Sequence, residues 1–203
     1  MADTISPVMI CSDALLMLGS KPIASFSEAS DPSNLDRARL CANLYPMVKL
    51  AILRSHPWNC ATKRVQLSPD ATPPAFGYTY RFALPGDWLR TLSVGDGVQL
   101  DYRSEGRFLL CNERVFPLTY LANIPETEWD TLLIQAVTLA MSVRLAYPIT
   151  ASTSLEQLRY QELQRTMQEA RAVDGQDNPP ETLGGLGPLL ASRFGARSFG
   201  MGE

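Results

Sequence analysis

A change of periodicity at residues 54–67, RSHPWNCATKRVQL, constrains the fold of this chain more than any other feature. Before it, apolar residues recur at the three- and four-residue spacings of one helix face; after it, segments are short and rich in β-branched and aromatic residues. Pro57 cannot continue a helix and disfavours the helical conformation at His56. Trp58 then supplies a large apolar surface. We therefore predict a structural corner between helix and sheet at His56, Pro57 and Trp58.

Two helices are predicted on the N-terminal side of this corner. The first lies in SPVMICSDALLMLGS, where Ser6 suits the N-cap and Gly19 suits the residue after the last turn. The second runs from about Asn34 to Ser55, is capped by Ser33, and should kink at Pro46 because proline removes a helical hydrogen bond. The corner thus ends a long second helix.

Two further helices are predicted toward the C-terminal end. A strongly apolar face marks one helix from Pro125 to Tyr147, which Pro148 should close. The other, at about 153–173, carries apolar residues amid abundant Glu, Gln and Arg. This composition predicts a helix with a largely solvated surface.

Six short segments between these pairs of helices have the composition of strands. They are CATKRVQL, YTYRFALP, LRTLSV, VQLDYR, RFLLCN and RVFPLTYL. We predict five or six antiparallel strands, with turns at GDG (95–97) and SEG (104–106). Apolar and polar residues alternate in VQLDY, which predicts a sheet with one solvated face.

The order of these elements predicts an α+β fold. Residues 1–58 and 124–174 should form a body of about four helices, and residues 59–123 an inserted antiparallel β region. An extended C-terminal tail, 175–203, should follow, since its glycines and prolines cannot build a long helix. By itself such a tail should be disordered, and we expect a partner to capture it in preference to its own domain. Its expected anchors are Leu189, Leu190, Arg193, Phe194 and Phe199.

Charge and cysteine spacing limit the function classes. The chain has 18 basic and 21 acidic residues, which disfavours a stand-alone nucleic-acid binder but suits a wall past which nucleic acid slides. Its four cysteines have no compact metal-binding spacing, so we expect reduced thiols and neither metal nor cofactor. We see no signal peptide and no apolar run of about 20 residues, so we expect synthesis in the cytoplasm and no membrane partner.

No pattern predicts a catalytic residue. His56 is the only histidine, and at a helix end before proline we interpret it as structural. Gly95 and Gly97 lie between strands, where a hairpin turn is expected and not a dinucleotide fingerprint. Two acids at the right separation could still make a carbohydrate hydrolase, which stays open as the alternative function. The candidate acids are Glu126, Glu128 and Asp130 before a helix, and Asp96 and Asp101 beside a strand.

Four stretches of the chain resemble the tail tubular protein A family, the head-to-tail adaptors of short-tailed bacteriophages. They are YPMVKLAILRSHPWNCATKRVQL, PAFGYTYRFALPGDWLR, EWDTLLIQAVTLAMSVRLAYPIT and ASRFGARS. Their most specific pieces are R-S-H-P-W-N and F-G-Y-x-Y-x-x-x-L-P-x-D-W-L-R, in this order. The resemblance covers nearly the whole chain and includes aromatic residues for which we expect packing and interface roles. They are Phe76, Tyr78, Tyr80 and Trp88.

The resemblance implies a structural protein of the virion tail, at the junction of head and tail, with no catalytic activity. Such adaptors form a homo-oligomeric ring, a dodecamer, between the portal protein and the tail nozzle, tail tubular protein B. Genomic DNA passes through the ring without sequence-specific binding. The C-terminal anchors would then bind the portal. Ring subunits meet head to tail, and we expect charged residues to set the register at the subunit interface. They are Arg37, Arg39, Glu156, Arg159, Glu162 and Arg165.

Overall fold

Helices flank two small antiparallel sheets, so the chain has the predicted α+β fold. The computed structural model describes residues 5–27, 32–95 and 100–177. The four α-helices of these residues are α1 (Pro7–Met17), α2 (Pro32–Ser55), α3 (Thr131–Thr150) and α4 (Thr153–Gln176). Short 3₁₀ turns lie at Asn59–Ala61 and Glu126–Glu128. The predicted C-terminal tail lies outside the described residues from Asn178 onward.

The strands form two separate three-stranded sheets. They are β1 (Thr62–Leu67), β2 (Tyr80–Ala83), β3 (Trp88–Val94), β4 (Tyr102–Glu105), β5 (Phe108–Cys111) and β6 (Phe116–Ala122). One sheet has the order β1-β6-β3, and the other has the order β2-β5-β4. All pairs are antiparallel, and β3 carries two irregularities in its register with β6. Gly106, with φ +59°, makes the β4–β5 turn that SEG predicts.

Local sequence signals predict some ends of helices and strands correctly and others wrongly. The N-cap prediction for α1 is confirmed, since Ser6 accepts a hydrogen bond from the Met9 amide at 3.3 Å. The start of α2 at Asn34, capped by Ser33, is wrong: the helix begins at Pro32, because proline suits a first helical position. Val98 and Gln99 of the strand predicted over VQLDY lie outside the described residues; Leu100 and Asp101 are not in a strand, and β4 begins at Tyr102 with all four of its residues exposed.

The bounds predicted for α3 are also wrong. Asp130 caps the helix by accepting a hydrogen bond from the Leu132 amide at 2.8 Å, so α3 begins at Thr131 and not at Pro125. It continues through Pro148 and ends at Thr150, with Ala151 (φ +51°) as its C-cap. Proline removes only one hydrogen bond near the end of a helix, and packing of α3 against α4 offsets that loss.

Helix α3 is the centre of the helical body and packs against α1, α2 and α4. Ten of its residues are buried, including Ser142, whose hydroxyl donates to the Leu139 carbonyl at 2.8 Å. By length and composition alone α3 could cross a membrane, a feature that sequence analysis overlooked. A core helix meets the same criteria, and 56% of its most apolar stretch is buried in the fold. One hydrophobic cluster contains residues of this helix and of both sheets, and it includes Trp58 and Phe116.

Candidate interaction surfaces and the helix-to-strand corner

The chain turns from α2 to β1 at the predicted corner. Helix α2 ends at Ser55, and Trp58 is 2% exposed. The Trp58 indole donates to the Ile52 carbonyl at 3.1 Å, which satisfies one acceptor of the last helical turn. The His56 ring meets the Trp58 ring edge to face, with 4.8 Å between centroids. The indole therefore joins the end of α2 to the strand that follows.

Asp174 near the end of α4 completes this corner. Its Oδ2 lies 3.1 Å from His56 Nε2, and its Oδ1 accepts from the Asn59 amide at 3.0 Å. The Asn59 side-chain amide also donates to the Asp174 carbonyl. Asp174 was not predicted to contact His56, because the two residues are 118 positions apart and no local sequence signal marks Asp174. These bonds attach the last turns of α4 to the corner.

A histidine paired with an aspartate is also found in nucleophilic active sites, and Cys60 is the nearest thiol along the chain. Burial raises the pKa of the Cys60 thiol, with the carboxylates of Asp174 and Asp130 adding to the effect. Such a thiol is protonated at neutral pH and a poor nucleophile. All four cysteines are free thiols. Within the described residues, no group of three or more His, Cys, Asp or Glu side chains could hold a metal ion.

The structure assigns structural contacts to two of the candidate hydrolase acids. Glu126 Oε1 accepts from the Tyr45 hydroxyl at 2.8 Å and from Lys49 Nζ at 2.9 Å. Asp130 caps α3. Glu128 and Asp101 are exposed, and Asp96 lies outside the described residues. The acids near residue 126 therefore join α2 to the start of α3.

Glu126 should make the stability of this junction depend on pH. Burial opposes its charged form, but hydrogen bonds from Lys49 and Tyr45 outweigh burial and lower its pKa. Because the pKa of Glu126 is lower in the folded state, its ionised form stabilises the fold at pH values above the ordinary glutamate pKa of about 4.3. This contribution is lost as the pH falls through the folded-state pKa. We expect the unfolding free energy of Glu126→Gln to fall below wild type at pH 7, with the difference shrinking below about pH 4.

Urea unfolding of both proteins between pH 3 and 7 measures this difference. Glu128→Gln is the matched control, because Glu128 is exposed and two positions away. A difference that grows on acidification would contradict the assignment.

Asp87, which sequence analysis did not single out, joins the three strands of one sheet. Its carboxylate accepts from Lys63 on β1 at 2.9 Å and from the Tyr120 hydroxyl on β6 at 3.1 Å. Burial opposes ionisation, yet these hydrogen bonds lower its pKa. Asp87 immediately precedes β3 within LPGDWLR, so the aspartate of this motif has a structural role.

The predicted interface charges have different environments. Arg159 donates to Glu162 at 2.6 Å within α4 and to the Met17 carbonyl at the end of α1, so both side chains already have partners inside the subunit. Arg39 and Arg165 are exposed, while Glu156 and Arg37 are half-buried. Arg39, Glu156 and Arg165 form no ion pair within the part of the chain that the structure describes. These three remain the more available interface candidates.

Large apolar side chains are exposed at several points. Phe76 is 89% exposed in the proline-rich loop between β1 and β2, whereas Tyr78, Tyr80 and Trp88 are half-buried. Beside Phe76 lies a groove of about 470 Å³, also lined by Tyr78, Phe108 and Arg103. Exposed apolar groups gathered at a groove are typical of an interaction surface. The predicted tail anchors lie outside the described residues. They are Leu189, Leu190, Arg193, Phe194 and Phe199.

No protein-family model matches the chain, and a search of curated proteins found no match.

Proposed function

We propose that this chain is a head-to-tail adaptor of a short-tailed bacteriophage, which assembles as a ring between portal and tail nozzle around the DNA exit channel. The observation that carries the proposal is the order of R-S-H-P-W-N and F-G-Y-x-Y-x-x-x-L-P-x-D-W-L-R, which resembles the tail tubular protein A family. The first piece forms the end of α2 and the corner, and the second leads from the Phe76 loop through β2 into β3.

The exposed surfaces support a protein that works through contacts with other proteins. Met47 is 70% exposed and Leu16 is 55% exposed on helices, and Phe76 is exposed on a loop. Contacts between subunits would bury these side chains and remove their apolar surface from water. The formal charge of −3 suits a channel past which DNA moves, because retained phosphate contacts would slow its exit.

Electron microscopy of the purified chain, alone and with purified portal, tests the proposal. We expect rings of twelve subunits seated on the portal, with assembly weakened by salt, since exposed ion pairs are screened over about 8–10 Å at physiological ionic strength. A chain that stays monomeric and leaves the portal undecorated at low salt would refute the adaptor function. Portal incubated without the chain is the control.

A further inference from the structure

The outward face of α2 carries an apolar centre between two arginines. Pro46, Met47 and Leu50 are exposed at spacings that place them on one side of the helix, and Met47 is 70% exposed. Arg39 and Arg54 lie on the same side, roughly 22 Å apart at the rise of an α-helix. Both are exposed and have no ion pair among the described residues. We call this surface the α2 ridge.

A groove of complementary character lies between α3 and α4. Its volume is about 400 Å³, and it is lined by Val143, Thr153, Glu156, Gln157, Tyr160 and Gln161. Tyr160 is 52% exposed, so its ring covers only part of the opening. Glu156 is the only charged residue of the lining and makes no ion pair within the described ranges. We call this surface the α3–α4 groove.

The two surfaces belong to different parts of the bundle, because α3 packs against both α2 and α4. An apolar protrusion that fits a pocket elsewhere on the same molecule gives a head-to-tail contact, which closes into a ring when the rotation permits. Among the described residues, the arginines at the ends of the ridge and the Glu156 carboxylate of the groove form no ion pair. The charge and the exposed apolar side chains therefore suit a second copy of this chain.

We propose that Met47 and Leu50 of one subunit pack into the α3–α4 groove of the next subunit, where an arginine of the ridge pairs with Glu156. The inference rests on the proposed ring and names its subunit interface. It assigns to the contact Glu156, one of the six predicted charges, together with Arg39 or Arg54, and adds apolar anchors that the sequence did not indicate. The apolar contact supplies the affinity, and the ion pair sets the register.

The first test is Met47→Glu in the full chain. A buried carboxylate facing Glu156 should weaken association at least about tenfold, as expected for an interface anchor. Gln164→Glu is the matched control, since it adds the same charge at an exposed position of α4 outside the groove. Analytical ultracentrifugation with and without portal measures assembly, and circular dichroism checks that both variants fold.

The second test introduces no charge into the proposed interface. Cysteines introduced together as Met47→Cys and Gln157→Cys should crosslink neighbouring copies under mild oxidation, giving a ladder of multimers on a non-reducing gel. Met47→Cys with Gln168→Cys is the control, because Gln168 is exposed on α4 but does not line the groove.

The outcomes separate the inference from the proposed function. Loss of assembly in Met47→Glu together with the specific ladder supports the interface. Wild-type rings that persist in folded Met47→Glu, with no specific ladder, overturn the interface and leave the adaptor function standing. A wild-type chain that forms no oligomer even with portal overturns both.

Discussion

Replacing Trp58 with alanine is expected to lower the unfolding free energy by about 3–5 kcal/mol, the range for large buried aromatic side chains. Trp58 is 2% exposed and belongs to the cluster that joins the helical body to the sheets. The substitution leaves a cavity, removes the indole hydrogen bond to Ile52 and removes the ring that His56 contacts. Urea unfolding at constant pH, followed by circular dichroism, measures the loss.

Two controls show whether the loss belongs to the corner. Trp88→Ala removes another tryptophan, but Trp88 is half-buried and its indole donates to the hydroxyl of Thr91, three residues away, so we expect a smaller loss. His56→Gln keeps a polar group beside Asp174 and should cost about 1 kcal/mol, the value of one hydrogen bond. A Trp58→Ala loss no larger than that of Trp88→Ala would contradict the corner's structural importance. A hydrolytic activity lost in folded His56→Gln would contradict the structural interpretation of the histidine.

Deleting residues 179–203 is expected to abolish attachment to the portal while leaving the described fold intact. The described part of α4 ends at Gln176, and Asp174 holds its last turns to His56 and Asn59. The deletion therefore removes none of these contacts. The removed segment contains the apolar anchors Leu189 and Phe194, which could fill pockets on a partner in the strand-addition mode of recognition.

Portal binding measured by co-sedimentation or interferometry tests this expectation. A chain in which 179–203 is replaced by a Gly/Ser segment of equal length controls for tail length. In the intact tail, Leu189→Ser with Phe194→Ser should weaken binding, whereas Ser192→Ala should not. Wild-type affinity in the truncated chain would show that the portal contacts a different surface.

Local patterns in the sequence were enough to predict the order of elements and several of their ends. Pro57 disfavours a helical conformation at His56, and α2 ends at Ser55; Ser6 caps α1 with its own hydroxyl. Gly106 adopts the positive φ that a tight turn requires. Each outcome depends on the covalent geometry of one residue or on neighbours a few positions away. The α+β fold followed from the order of such signals.

The same local rules failed at Pro148 and in VQLDY. Pro148 did not end α3, because the hairpin with α4 stabilises the last turn. The cost of one proline in a helix, about 3 kcal/mol, is small enough for tertiary contacts to offset. In VQLDY, Leu100 and Asp101 are not in a strand and β4 begins at Tyr102 with all four residues exposed, so no packing contact among the described residues explains that difference.

By itself the sequence determined the change from helix to strand at Pro57, the α+β order of the elements in the described residues, and which motifs resemble a phage adaptor. Only the tertiary structure decided which groups meet. Asp174 reached His56 across 118 positions, Glu126 bonded Tyr45 and Lys49, and the α2 ridge and the α3–α4 groove remained exposed. The reason is physical: a cap or a turn is a property of adjacent residues, whereas an ion pair or groove requires distant segments to pack side by side.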